Sequence, residues 1–173
     1  MAGWDQKLCT AAKEGKINEV ELSVRNGANL ECRDELGGST PLMLAAGGGH
    51  LEVLMYLVSH GSQLEATDTM GGSTPLMLAA GGGHLEVLMY LVSQGSQLEA
   101  TDTMDEKTAL HYAARNGWID VTKWLIDQKC SPWVKTKQGQ TPFDMVTIES
   151  YDSDVEKRKK KEVMNFLKVN ILS

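Results

Sequence analysis

Four histidines, three cysteines, two triple-glycine runs and one lysine-rich run are the residues of this chain with chemistry to offer. His50, His60, His84 and His111 suit metal binding or proton transfer, but no carboxylate or thiol stands at ligand spacing from them. His50 and His84 read instead as structural caps of the helices that follow them, and His60 as the solvent-exposed end of a helix. Cys9, Cys32 and Cys130 are far apart, odd in number and without a Cys-x-x-Cys step. That pattern predicts reduced thiols in an intracellular protein, with no His or Asn implied beside a nucleophile. Gly47-Gly48-Gly49 and Gly81-Gly82-Gly83 lack the Lys-Ser/Thr that follows a phosphate loop, and they fall at a helix end. No nucleophile, acid–base pair or metal set converges, so the expectation is no enzyme, no cofactor and no metal.

The elements that carry these residues repeat. Residues Gly37–Met70 recur as Gly71–Met104 with one difference, His60 against Gln94. The beat continues outside the copy. Thr40, Thr74, Thr108 and Thr141 keep it, and so do Ala-Ala pairs at 11–12, 45–46, 79–80 and 113–114. Self-similarity at such a period marks one supersecondary unit stacked on its own copies. Within a unit, Thr40-Pro41 opens a helix, since Thr can cap free N–H groups and Pro fits the first helical position. Leu42, Leu44, Ala45 and Ala46 form its short apolar body, and Gly47-Gly48-Gly49 ends it. Leu51, Val53, Leu54, Leu57 and Val58 give a second helix its buried side, which Gly61 stops. The polar, turn-rich stretch that follows predicts a loop or β-hairpin.

Thr40-Pro41-Leu42, Leu44-Ala45-Ala46, Gly49-His50, Glu52-Val53 and Asp68, with their copies at 74–87, resemble the ankyrin-repeat family in order and spacing. Thr108 to Ala114 with Asn116-Gly117, and Asn26-Gly27-Ala28-Asn29, extend the resemblance over about residues 5–150. It implies an all-α solenoid of about five stacked antiparallel helix pairs with projecting β-hairpin loops and a concave binding face. The expected organisation is an array over 1–150, with a capping repeat at about 4–33, central repeats at 34–67, 68–101 and 102–135, and the start of a last repeat at 136–150. A capping helix with a basic run follows over 151–173.

Some positions depart from the family pattern. The hairpins before Thr40, Thr74 and Thr108 are one residue longer than usual. Met43 and Met77 stand where a His normally ties neighbouring turns, and only His111 keeps it. Lys129 stands where a helix-ending Gly is usual, which predicts a strained turn.

The resemblance also directs attention to surfaces. Groove-facing positions of the inner helices are Gly47, Gly48, Gly81 and Gly82, so the wall there is expected to be nearly bare. Arg115, Asn116 and Trp118 decorate it in the fourth unit. The finger tips carry Glu35, Leu36 and Ser39, then Met70 and Ser73, then Met104, Asp105 and Lys107. Leu36, Met70 and Met104 form an apolar row that either meets a partner or packs against the neighbouring finger. Met55 and Met89, beside Leu54 and Leu88, make either an apolar convex patch or a packing surface between repeats. These eleven wall and tip residues are the candidate partner-binding set.

Charge narrows the partners. Residues 1–150 carry 11 basic and 19 acidic side chains, while 151–173 carry 6 and 4. An acidic body disfavours nucleic acid. No apolar run is long enough to span a membrane, and the N-terminus reads as no secretory signal. Lys157, Arg158, Lys159, Lys160 and Lys161 are either the solvated side of a capping helix or a nuclear-import segment. The expectation is therefore a monomeric, intracellular, cytoplasmic interaction module for a protein or peptide, with nuclear entry through the basic run left open. Alternatives are a regulatory subunit or inhibitor of an enzyme or cytoskeletal protein, a nuclear or transcription-associated adaptor, and an engineered or recently duplicated scaffold.

Overall fold

In the computed structural model residues 2–172 are described, with side chains described over 3–170. Four helix pairs stack in order. They are α1 (Ala2–Glu14) with α2 (Ile17–Arg25), α3 (Pro41–Gly48) with α4 (Leu51–Ser59), α5 (Pro75–Gly82) with α6 (Leu85–Ser93), and α7 (Ala109–Arg115) with α8 (Ile119–Asp127). A long α9 (Asp154–Leu172) closes the array against α7 and α8. The inner helices α1, α3, α5 and α7 pack in one row, and α2, α4 and α6 in another.

The local chemistry explains the inner helices. The Thr40 and Thr74 side chains accept the Met43 and Met77 N–H groups, and Pro41 and Pro75 sit in the first turn. Gly49 and Gly83 stop the helices at φ 74° and 78°, a conformation that a side chain disfavours. The small pairs Ala45–Ala46 and Ala79–Ala80 are fully buried, which lets the inner helices approach one another closely. Leu54, Leu57, Leu88, Leu91 and Leu125 fill the space to the outer row. Leu54 and Leu88 are therefore core, so they add nothing to a convex patch. Only Met55 and Met89 remain half-exposed on that side.

The fingers are turns with no strand among the described residues. Asp34 N–H donates to the Ser39 carbonyl, and the same bond recurs from Asp68 to Ser73 and from Asp102 to Lys107. The Asp34, Asp68 and Asp102 carboxylates gather the N–H groups of their own tips, which holds each turn shut. Thr69 and Thr103 donate to the Gly37 and Gly71 carbonyls of the preceding finger, so the fingers form a ladder. Lys129 adopts φ 70°, the left-handed conformation that its position demands.

The fifth unit is incomplete. Thr141 N–H and hydroxyl both donate to Asp144, closing one turn over 142–145, and no helix follows before α9. The β-branched Val146-Thr147-Ile148 run resists helix continuation. Val163 and Leu167 of α9 are fully buried against Ala114 and Val146, with Phe166 beside them. Ile171, expected on the same stripe, lies outside the described side chains.

One recurring slot shows how the repeat treats polarity. Ala28, Ser62, Ser96 and Cys130 occupy it in turn, and all are buried. The Ser62 and Ser96 hydroxyls have no hydrogen-bond partner within the protein. Ser62→Ala and Ser96→Ala are each expected to raise stability by up to about 1 kcal/mol, since an unpaired buried hydroxyl is removed. Urea unfolding of each variant checks this, and a lowered midpoint contradicts it.

Candidate interaction surface

His50 and His84 make no side-chain cap to α4 or α6. Their ring Nε2 atoms reach the carbonyls of Lys13 and Gly47 in the preceding unit, at 2.9 and 3.0 Å. Trp118 stands at the same position one unit later, and its indole N–H donates to Gly81 O at 2.7 Å, joined there by Asn116 Nδ2 at 2.8 Å. The expected caps are therefore brackets between units. The free C-terminal carbonyls of one inner helix are satisfied by the ring that opens the next outer helix.

These brackets also cover the wall. A Cβ on Gly48 or Gly82 would come within 2.6 Å of the His50 or His84 ring, so a side chain at either position would have to displace the ring. Gly47 and Gly81 do have room for a methyl group. The wall is bare only at that one position in each unit.

The candidate residues sort by exposure. Leu36, Met70 and Met104 stand out at 82%, 68% and 59% exposed, with Glu35 and Arg115 also exposed. The Met70 side chain lies beside Gly37 of the preceding finger as well as being open to solvent. Lys107 is paired with Asp105, and Gln138 Nε2 donates to the same Asp105 carboxylate at 3.0 Å. These bonds, led by that from Lys107, hold the Asp105 carboxyl below its usual range. Ser39 is half-buried in its turn. Ser73 is a correction to the contact set, because it is buried and bonded to the Tyr112 hydroxyl, which in turn donates to Asp102. Trp118 and Asn116 are engaged with Gly81 and leave Arg115 as the open charge among the three wall residues of the fourth unit.

Nor is the basic run solvated throughout. Lys159 lies over the Trp118 ring at 4.7 Å, and Lys160 pairs with Asp152 at 2.8 Å, both side chains being largely covered. That bond from Lys160 holds the Asp152 carboxyl below its usual range. A variant with Gln at Lys159 and Lys160 therefore loses structural contacts, contrary to a neutral, exposed charge run. Arg158 and Lys161 remain exposed.

His111 is wholly buried. Its Nδ1 accepts the Thr108 N–H at 3.1 Å, so its Nε2 carries the proton and donates to Gln140 O at 3.2 Å. Burial holds its pKa below the ordinary 6.5, against the opposing pull of the Gln140 and Val134 carbonyls and Asp102. A base with a lowered folded pKa gives stability that is present above its unfolded pKa and is lost as pH falls through the folded value. Unfolding at pH 7 and pH 5 is expected to show a steeper acid loss for the native chain than for His111→Met. Met43 and Met77 show that the slot accepts methionine, which does not titrate. Equal slopes for the two proteins would contradict this account.

Among the described residues no three His, Cys, Asp or Glu side chains converge as a metal site. Among them, too, no helix is long and apolar enough to cross a membrane. The bracket positions and the Asp102–Tyr112–Ser73 link were not read from the sequence. The signal for the brackets was present in His50, His84 and Trp118 standing 34 residues apart, but the acceptors are backbone carbonyls, which no sequence pattern displays.

The family model for ankyrin repeats (3 copies) matches residues 8–102 and again 95–157. Two ankyrin repeat proteins of Rickettsia felis are each 48% identical over 48 residues, 28% of this chain and 75% and 71% of theirs. Ankyrin repeats are in general protein–protein interaction modules. With its inner and outer helix rows, its finger turns and these matches, the chain belongs to the ankyrin-repeat family.

Proposed function

We propose that the chain is a non-enzymatic recognition module that docks a protein or peptide along its finger tips and the adjoining concave wall. The observation that carries this reading is the row Leu36, Met70 and Met104, three large apolar side chains exposed at repeat spacing on turns that are hydrogen-bonded to one another. Solvent-exposed apolar side chains on a rigid ladder lose little freedom on binding and gain by desolvation. Met70 and Met104 also adapt their shape to a partner. Glu35 on the first finger and Arg115 at the end of α7 supply exposed charge in the first and fourth units.

Replacing Leu36, Met70 and Met104 together by Ser is expected to weaken a partner recovered by cross-linking by at least about tenfold, since a good interface contact contributes 1 kcal/mol or more. The unfolding midpoint should barely change. Unchanged affinity with lowered stability would assign the row to packing and sink the proposal.

The same surface serves a regulatory subunit or inhibitor equally well, and an activity assay on the recovered partner separates these from an adaptor. Nuclear entry through Lys157–Lys161 requires a receptor to compete with the Trp118 and Asp152 contacts. A fluorescent fusion with Arg158 and Lys161 changed to Gln tests that route without disturbing either contact.

A further inference from the structure

Cys9 and Cys32 are 23 residues apart in sequence and in contact in the fold, with Sγ atoms 3.3 Å from each other. Repeat register makes this contact. Cys9 fills the buried inner-helix slot that holds Met43, Met77 and His111 in the later units. Cys32 stands at the position of Ala66, Ala100 and Val134, after the outer helix. Only the first unit places sulfur at both positions. The two residues line a concavity between α1 and the first finger, together with Lys13, Glu35 and Leu36. Cys32 is half-buried, and Cys9 lies just beneath it. Cys130 is different. It occupies the Ser62 and Ser96 slot, and burial raises its thiol to about 12.

We propose that Cys9 and Cys32 form a reversible dithiol–disulfide site, oxidised by a peroxide and reset by a thiol reductant. The chemistry follows from a shared proton. A thiol donating to a neighbouring thiolate favours ionisation of one sulfur and opposes that of the other, and the Cys9 thiol is accordingly lowered while Cys32 is raised. The Cys9 thiolate attacks a peroxide oxygen. The O–O bond breaks, and the departing hydroxide takes the proton that Cys9 released, giving water and a sulfenic acid on Cys9. Cys32 then attacks the Cys9 sulfur. The S–S bond forms, the S–O bond breaks, and the hydroxyl leaves with the Cys32 proton as a second water. Two thiols lose two electrons, and one peroxide becomes two waters. Two small thiols restore the pair: the thiolate of the first opens the S–S bond to a mixed disulfide and one free protein thiol, and the second attacks that mixed disulfide, releasing the small-molecule disulfide and the other protein thiol.

The bond would tie α1 to the root of the first finger, whose tip carries Glu35 and Leu36. The site stands independently of which partner uses the groove.

The test uses the intact chain, treated with hydrogen peroxide and then with dithiothreitol, with alkylation at each stage and peptide mass spectrometry. The expected result is loss of labelling at Cys9 and Cys32 together, a cross-linked peptide joining them, recovery on reduction, and continued failure of Cys130 to oxidise. This readout on the native chain does not depend on any variant folding. Cys32→Ser should abolish the cross-link, and Cys130→Ser should leave it intact. Oxidation first at Cys130, disulfide-linked dimers in place of the internal bond, or unchanged labelling of Cys9 and Cys32 would each overturn the proposal.

Discussion

Gly83→Ala is expected to destabilise the array by about 2–5 kcal/mol, combining a non-glycine residue in the left-handed region with a buried donor left unpaired. Gly83 has φ 78°, and a Cβ there would run into the fused ring of Trp118 well inside van der Waals contact. The ring has no easy retreat. Its indole N–H is bonded to Gly81 O, and Lys159 lies over the ring at 4.7 Å. Two companion variants divide the effect. Gly61 also has positive φ, at 94°, but nothing lies within 4 Å of its Cβ position, so Gly61→Ala carries the backbone term alone. Gly47 has ordinary helical φ and only Leu78 Cβ nearby, at 3.8 Å, so Gly47→Ala should stabilise by up to about 1 kcal/mol. Urea midpoints should therefore run Gly47→Ala above the native chain, then Gly61→Ala, then Gly83→Ala. Gly83→Ala no worse than Gly61→Ala would mean that the bracket contributes nothing.

Leu167→Ala should cost about 2–5 kcal/mol, the range for a fully buried leucine, and should act on one end of the molecule. Leu167, Val163, Ala114 and Val146 form a small core of their own, joined to the main core through Ile126. In a solenoid each unit contacts only its neighbours, so loss at one end frays that end before the rest unfolds. Hydrogen exchange should show protection falling in α9 and α8 while α3 to α6 keep theirs. Truncation after Tyr151 should do the same more severely and expose apolar surface that promotes aggregation. Uniform loss of protection along the chain would show that the array unfolds as one unit and that the last core is not separable.

The sequence by itself determined the unit, its period and its helices. Thr40-Pro41 and Gly49 act on the few residues beside them, through capping, a fixed φ and a permitted left-handed turn, and such local rules need no tertiary information. The near-identical copy at 71–104 made stacking a necessity, since one unit cannot bury both faces of its helix pair. The apolar stripe of α9 was legible for the same reason, because helical spacing alone places Val163 and Leu167 on one side.

Tertiary structure decided what each polar or reactive side chain does. His50 and His84 became brackets and not caps, because the carbonyls that they reach belong to the unit before them, at 2.9 and 3.0 Å. Ser73 left the surface, because Tyr112 of the next inner helix comes over it. Lys160 was taken from the solvated run by Asp152, which lies across the loop before α9. Cys9 and Cys32, distant in sequence, were brought into contact by packing of α1 against the segment after α2. His50, His84 and Ser73 find their partners in a neighbouring unit, whereas Lys160 and Cys9 find theirs on another element of their own unit. Pattern along a chain carries local geometry, whereas hydrogen-bond partners are assigned only when units stack and burial requires each polar atom to be satisfied.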